Sequence, residues 1–225
     1  MQFFIGPFLT WLPMVAFWAF AAGITLIHFF HNREDERDTR NIIRAYRKLL
    51  FAACAFRILY AILLTIGQYI LWANNALSKI FLGSPLMAPK DIQLVPAWLS
   101  WLFNGDKGYF IFYALSRFWL SALLSIGIAF IWFLFLKSLE RHRERFFDTG
   151  EVALGLLAAL VVGWPTVVVF VPLVFVFVVV MSMVRMLVWG HRYTTLGTPF
   201  VLAMLVALLI GPTLISTTWL SVLKI

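Results

Sequence analysis

The sequence has 225 residues, of which 63% are hydrophobic and only 12% are charged. Soluble domains average about 45–50% apolar and about 25% charged residues, so the composition excludes an ordinary water-soluble protein. The net charge of +8 would indicate nucleic acid as the partner of a soluble protein. In a membrane protein it instead reflects topology and anionic lipid headgroups, and we expect no nucleic-acid partner. The sequence therefore predicts an all-α, polytopic membrane helix bundle.

Long apolar runs predict about six membrane-spanning helices. The start of the chain lacks the basic region and cleavage site of a signal peptide, so we expect the first helix to be retained. The fourth segment is short, because about 13 residues give roughly 20 Å of helix against about 30 Å of hydrocarbon. The six predicted spans are Phe8–Phe30, Leu49–Trp72, Tyr109–Leu136, Glu151–Gly163, Thr166–Trp189 and Pro199–Trp219.

Three charged loops hold 12 of the 18 Lys and Arg residues. They are HNREDERDTRNIIRAYRK after the first span, KSLERHRER after the third and RMLVWGHRY after the fifth. Positive residues near span ends stay on the cytoplasmic side, so these loops are predicted to share that face. Both termini then lie on the non-cytoplasmic side. Arg141, Arg143 and Arg145 are candidates for docking a membrane or cytoplasmic protein partner.

The chain is predicted to form a single integral membrane domain over residues 1–225. Within it, residues 1–73 form a helical hairpin with a basic cytoplasmic loop, and residues 74–108 form an extracytoplasmic interfacial segment. Residues 109–225 form a C-terminal bundle. The VPAWLSWLF stretch of the middle segment is rich in tryptophan, which is typical of a membrane interface.

Arg57 is a charge inside the second predicted span. A central intramembrane charge costs about 2.5–3.5 kcal/mol, so it normally faces the bundle interior and finds a partner. By depth, the nearest acids are Asp148 and Glu151. Structural pairing and an anion or substrate site both remain open for this residue.

Arg117 is a second candidate buried charge, in the third predicted span. It approaches from the outer side, where Asp106 and Asp91 are the nearest acids. Its long side chain could equally extend outward to the membrane surface.

His28 and His31 share one helix face, as metal ligands can. No further ligands within the membrane complete a set, so we predict interfacial packing, no metal and no cofactor. Cys54 lies in an apolar run, which favours a buried structural thiol.

The letters DTGE open the fourth predicted span. Asp148 or Thr149 is a good N-cap residue, and Glu151 in the first turn suits the helix dipole. A pair of carboxylates near the membrane interface could alternatively serve proteolysis, with a raised pKa on one of them.

Residues 147–211 resemble the C-terminal part of the type IV prepilin peptidases, which are intramembrane aspartyl proteases. That family places a G-x-G-D motif before an apolar helix, and the matching letters here are DTGEVAL. GLLAALVVGWP and LGTPFVLAMLVALLIG are similar to two of its helices. The resemblance implies a leader-peptidase-like core with Glu151 and Asp148 as candidate catalytic residues.

Several positions depart from the family pattern. Asp148 replaces the first glycine, Glu151 the aspartate and Ala153 the usual lysine. The second aspartate has its nearest match in Asp91, which the predicted topology places on the opposite face. The family's cysteine-rich zinc segment is absent from the sequence. A proton-sharing dyad tolerates an extra methylene poorly, so these departures favour a non-catalytic relative.

Three functions follow as hypotheses for this membrane protein, which we expect in a bacterial inner membrane. The first is a non-catalytic scaffold or assembly component, with a pilus or secretion system suggested by the resemblance. The second is an intramembrane peptidase. The third is a small transporter or channel with Arg57 as an anion site and helices broken at Pro172, at Gly163–Pro165 and at Gly211–Pro212.

Overall fold

The computed structural model describes residues 2–30, 36–86, 101, 103, 105–142, 147–148, 150–189, 195–217 and 222, with the backbone alone at 2–10, 36–39 and 189. All regular structure in these ranges is helical, which confirms the predicted all-α class. The helices are α1 (Gln2–Phe30), α2 (Glu36–Ala73), α3 (Ala76–Leu82), α4 (Gly108–Ala114), a π-helical segment (Leu115–Trp119), α5 (Leu120–His142), α6 (Glu151–Val162), α7 (Val167–Trp189) and α8 (Gly197–Thr217).

Five helices of the described chain are long and apolar enough to cross a membrane. These helices support an integral, polytopic membrane protein. The fourth predicted span corresponds to α6, whose 12 residues rise about 18 Å and fall short of a bilayer core. The five long segments are Trp11–Phe30, Arg40–Ala73, Gly108–His142, Val167–Val188 and Gly197–Thr217.

The chain divides into two compact units, Met1–Phe56 with Leu123–Lys224, and Arg57–Ala122. α6 is the centre of the first unit, because ten of its twelve residues are buried. A Cβ at Gly155 would lie 2.5 Å from Leu136 Cδ1 and 3.1 Å from Phe200 Cζ. Glycine therefore permits the close approach of α5 and α8 to α6, as small residues do between membrane helices. The predicted single domain stays a prediction.

The second unit has its own small core. Leu82 of α3 packs with Phe110 and Ala114 of α4, and Trp72 and Phe118 pack against these three residues. The indole N–H of Trp119 donates a hydrogen bond to Thr65 Oγ1 at 3.2 Å, joining the π-helical segment to α2.

Candidate functional site

α6 begins with a tight backbone turn, and the side chain of Glu151 closes this turn with a hydrogen bond. The Glu151 N–H donates to the carbonyl oxygen of Asp148 at 3.1 Å, and the Asp148 N–H donates to Glu151 Oε2 at 3.0 Å. The N-cap residue is Gly150 at φ 90°, which corrects the prediction of Asp148 or Thr149. Glycine suits this left-handed position because it has no Cβ. Thr149 lies outside the described residues.

The carboxylate of Glu151 also accepts hydrogen bonds from the start of α8. The N–H of Leu196 donates to Oε2 at 3.0 Å, and the N–H of Gly197 donates to Oε1 at 2.7 Å. The first N–H groups of a helix have no partner within the helix and carry partial positive charge. Only 1% of Glu151 is exposed. One buried carboxyl group therefore accepts hydrogen bonds from the turn that begins α6 and from the start of α8.

Gly197 lies between this carboxylate and a histidine of α1. A Cβ at Gly197 would lie 2.7 Å from Glu151 Oε1 and 2.5 Å from His28 Cε1, so any larger residue would have to displace one of these two side chains. His28 is buried, and its Nε2 lies 3.3 Å from the Thr198 hydroxyl oxygen. His28 therefore lies at a junction of three helix ends. We call Glu151, Gly197, His28 and Thr198 the carboxylate junction. His31 lies outside the described residues.

The predicted catalytic pair is brought together by the backbone of Asp148. Asp148 is half-buried, and its N–H is one of the three donors to the Glu151 carboxylate. A catalytic acid or base has to reach a proton of the substrate within hydrogen-bond distance. Glu151 is 1% exposed, and both of its carboxylate oxygens accept backbone hydrogen bonds.

The two predicted buried arginines differ. Arg57 is buried at 8% exposure, as predicted. Arg117 is exposed on the surface of the chain, which corrects the prediction of a buried position. It lies in the π-helical segment, and a long arginine side chain can extend away from an apolar helix.

Of the predicted docking residues, the structure describes Arg141, which is exposed in the last turn of α5. Arg143 and Arg145 lie outside the described residues. In the part of the chain that the structure covers, no group of three or more His, Cys, Asp or Glu residues could hold a metal ion.

A hydrogen bond to α5 fixes the connection between α6 and α7, and the sequence did not predict this contact. Gly163 ends α6 at φ 64°, and its N–H donates to Ala159 O at 2.9 Å. The next N–H, that of Trp164, donates to Ser125 Oγ of α5 at 2.8 Å. This turn interrupts the apolar sequence as predicted. In contrast, α7 and α8 continue through Pro172 and Pro212, so helix breaks were wrongly predicted there.

We expect Ser125→Ala to lower the free energy of unfolding by about 1–2 kcal/mol, because it removes the hydroxyl that accepts the Trp164 N–H in a partly buried site. Ser125 is only 1% exposed. Ser138→Ala, at an exposed position of the same helix, is the matched control and should change stability by less than about 0.5 kcal/mol. Unfolding in mixed detergent micelles measures both. Equal stabilities would contradict a structural role for the Ser125 hydroxyl.

Comparison with family models, with curated proteins and with solved structures finds no match to this chain.

Proposed function

We propose that this chain is a non-catalytic integral membrane protein that serves as a scaffold or assembly component. The proposal rests on the burial and the hydrogen bonds of Glu151, which is the best candidate for a catalytic acid. Its two oxygens accept three backbone N–H groups, and its side chain is buried. A carboxylate that is buried and hydrogen-bonded to the starts of two helices stabilises the bundle, and its burial supports a structural rather than a catalytic role.

A relation to the leader-peptidase bundle is part of this proposal, by descent or by convergence. The family motif places an aspartate where this chain has Glu151. The extra methylene of glutamate gives the side chain more reach toward the N–H groups of Leu196 and Gly197 at the start of α8. We infer that the substitution converted a catalytic position into a helix cap.

The proposed topology has the three charged loops on the cytoplasmic face of a bacterial inner membrane, with both termini on the other face. It is supported by the carboxylate junction, where the C-terminal end of α1 lies beside the N-terminal ends of α6 and α8. The α5–α6 connection leads to the same end, since Leu136 of α5 packs beside Gly155 of α6. In this topology α6 is a short sixth helix that starts at the cytoplasmic interface. Anionic lipids would meet the basic loops there.

We assign partner docking to the basic connection after α5. Arg141 is exposed at the helix end, and Arg143 and Arg145 follow it along the chain. Exposed arginines at a helix end suit an acidic partner surface, because each can pair with a carboxylate through two hydrogen bonds.

Photo-crosslinking in native membranes tests the docking function. A photoreactive residue replaces Ser138 in the wild type and in the Arg141→Glu, Arg143→Glu, Arg145→Glu variant. We expect the charge reversal to abolish the protein crosslinks, because the acidic partner is then repelled. Lys137→Glu, one turn earlier on the same helix, is the matched control and should retain them. Crosslinks that survive the triple reversal would contradict docking through this connection.

Cleavage of leader-bearing peptides by the purified protein in bilayers separates the scaffold from the peptidase. We expect none, from the wild type or from Glu151→Gln. Cleavage by the wild type that disappears in a folded Glu151→Gln protein would overturn the non-catalytic proposal.

A further inference from the structure

α3 is a short helix that begins directly after a membrane span. The span in α2 ends at Ala73, and α3 begins at Ala76. Both ends of α3 are closed locally: Asn75 Oδ1 accepts the Leu77 N–H at 3.1 Å, and the Gly83 N–H donates to Ile80 O at 3.2 Å. Leu82 fixes the helix to the core of its unit. α3 is therefore a regular helix that packs against the core of its unit.

The outer face of α3 is apolar. Leu77, Ile80 and Phe81 lie on one side of the helix and are 77%, 66% and 47% exposed. Lys79 is exposed on the opposite side, because it is about 200° from Leu77 around the helix axis at 100° per residue. An apolar face opposite a lysine is the pattern of a helix that lies in the membrane interface. Three large apolar side chains directed into water would be an unfavourable patch.

Several aromatic rings lie beside α3. Trp72 contacts Phe81, Tyr109 and Tyr113 with ring-centroid distances of 6.2, 6.2 and 4.9 Å, and Phe81 lies 5.4 Å from Tyr109. Tryptophan and tyrosine concentrate at the headgroup level of a bilayer, where their polar atoms meet water and their rings meet lipid. The Lys107 ammonium lies 5.7 Å from the centre of the Tyr69 ring in the same unit.

We propose that α3 is a lipid-interface anchor whose apolar face, formed by Leu77, Ile80 and Phe81, is inserted among the phospholipid acyl chains just below the headgroups. The occupant is the bilayer itself, because the face continues from the span of α2 and adjoins the aromatic residues that favour that depth. Lys79, on the opposite face, then points toward the phosphate layer. An interfacial helix of this kind is buried about 5–10 Å into the headgroup boundary. The proposal goes beyond the scaffold function and does not depend on it.

Site-directed fluorescence in vesicles tests this placement. The single native thiol is removed as Cys54→Ala, and Leu77→Cys or Lys79→Cys is then labelled with an environment-sensitive fluorophore. The vesicles contain phosphatidylcholine and phosphatidylglycerol, with a nitroxide near the top of the acyl chain of a minor lipid. We expect the label at position 77 to be quenched several-fold more by the nitroxide lipid than the label at position 79. Aqueous iodide should show the reverse order.

Two results would overturn the proposal. Iodide quenching at position 77 as strong as at position 79 would place the face in water. Protection of position 77 from both quenchers would mean that protein covers it, either another segment of this chain or a second molecule. Ile80→Cys, on the same face, repeats the measurement if Leu77→Cys does not fold.

Discussion

Replacing Glu151 with alanine is expected to destabilise the protein more than the other single changes considered. The variant loses the acceptor of three backbone N–H groups at a site with 1% exposure. Unpaired buried donors cost about 1–3 kcal/mol each, and removing one side of a buried charged interaction costs about 3–5 kcal/mol. We expect a loss of about 3–5 kcal/mol, measured by reversible unfolding in mixed micelles.

Glu151→Gln should fall between the wild type and Glu151→Ala. Glutamine keeps one acceptor oxygen but turns an NH₂ group toward a backbone N–H. Glu140→Ala is the matched control, because the Glu140 side chain forms no hydrogen bond with the described residues. Its unfolding free energy should change by less than about 0.5 kcal/mol. A Glu151→Ala protein as stable as the wild type would contradict the helix-capping role, since catalytic residues are often replaced without loss of stability.

Gly197→Ala is expected to have the second-largest effect. Its Cβ would lie 2.5 Å from His28 Cε1 and 2.7 Å from Glu151 Oε1, so the histidine ring or the carboxylate has to move. Moving the carboxylate also weakens its hydrogen bonds to the start of α8. We expect a loss of about 2–4 kcal/mol, measured by the same unfolding assay.

Gly127→Ala supplies the matched control for this glycine. Both changes add one methyl group to a helix, but a Cβ at Gly127 would have no atom within 4 Å outside its own helix. It should leave stability unchanged or raise it by up to about 1 kcal/mol. The Gly197→Ala, Glu151→Ala double variant should lose less than the sum of the two single losses, because both act on one set of contacts. Additive losses would indicate that Gly197 and Glu151 act independently.

Apolar length and composition were sufficient to predict the helical class and most of the spans. Each of the five long apolar helices corresponds to a predicted span. The short fourth segment was recognised because the letters GWP follow it closely, and α6 ends there, with Gly163 as its C-cap. The apolar length of a helix and the residues that end it can both be recognised from the sequence of that helix alone.

The role of Glu151 could not be predicted, because its partners are distant in the chain. Leu196 and Gly197 lie 45 and 46 residues away, and the Asp148 N–H is a backbone donor that any residue could supply. The sequence placed an acid at a helix start but gave no information on a second helix start beside it. The Ser125 contact with Trp164 spans 39 residues and was missed for the same reason. A glycine at the first position of α8 was the one local indication that a group approaches closely.

Arg117 illustrates a different limit. A buried partner and an outward extension were both open for this intramembrane charge, and the side chain is exposed on the chain surface. The free-energy cost of an intramembrane charge does not by itself decide between a buried partner and an outward extension. A long arginine side chain on an apolar helix can reach either a partner in the bundle or the membrane surface.

The amide proton of Gly197 gives the most direct test of the claim that Glu151 is a helix cap. Three of the 13 glycines follow a leucine, namely Gly83, Gly155 and Gly197. Labelling leucine carbonyls with ¹³C and glycine nitrogens with ¹⁵N therefore selects three amide signals in the NMR spectrum, two of which serve as internal controls. If Glu151 caps α8, the Gly197 amide exchanges slowly with solvent and resonates far downfield in the wild type. We also predict that the Gly197 amide exchanges faster and shifts upfield in Glu151→Gln, because a neutral amide oxygen is a weaker acceptor than a carboxylate, while Gly83 and Gly155 keep their exchange rates. A Gly197 amide that exchanges freely in the wild type, or that does not respond to Glu151→Gln, would show that Glu151 does not cap α8.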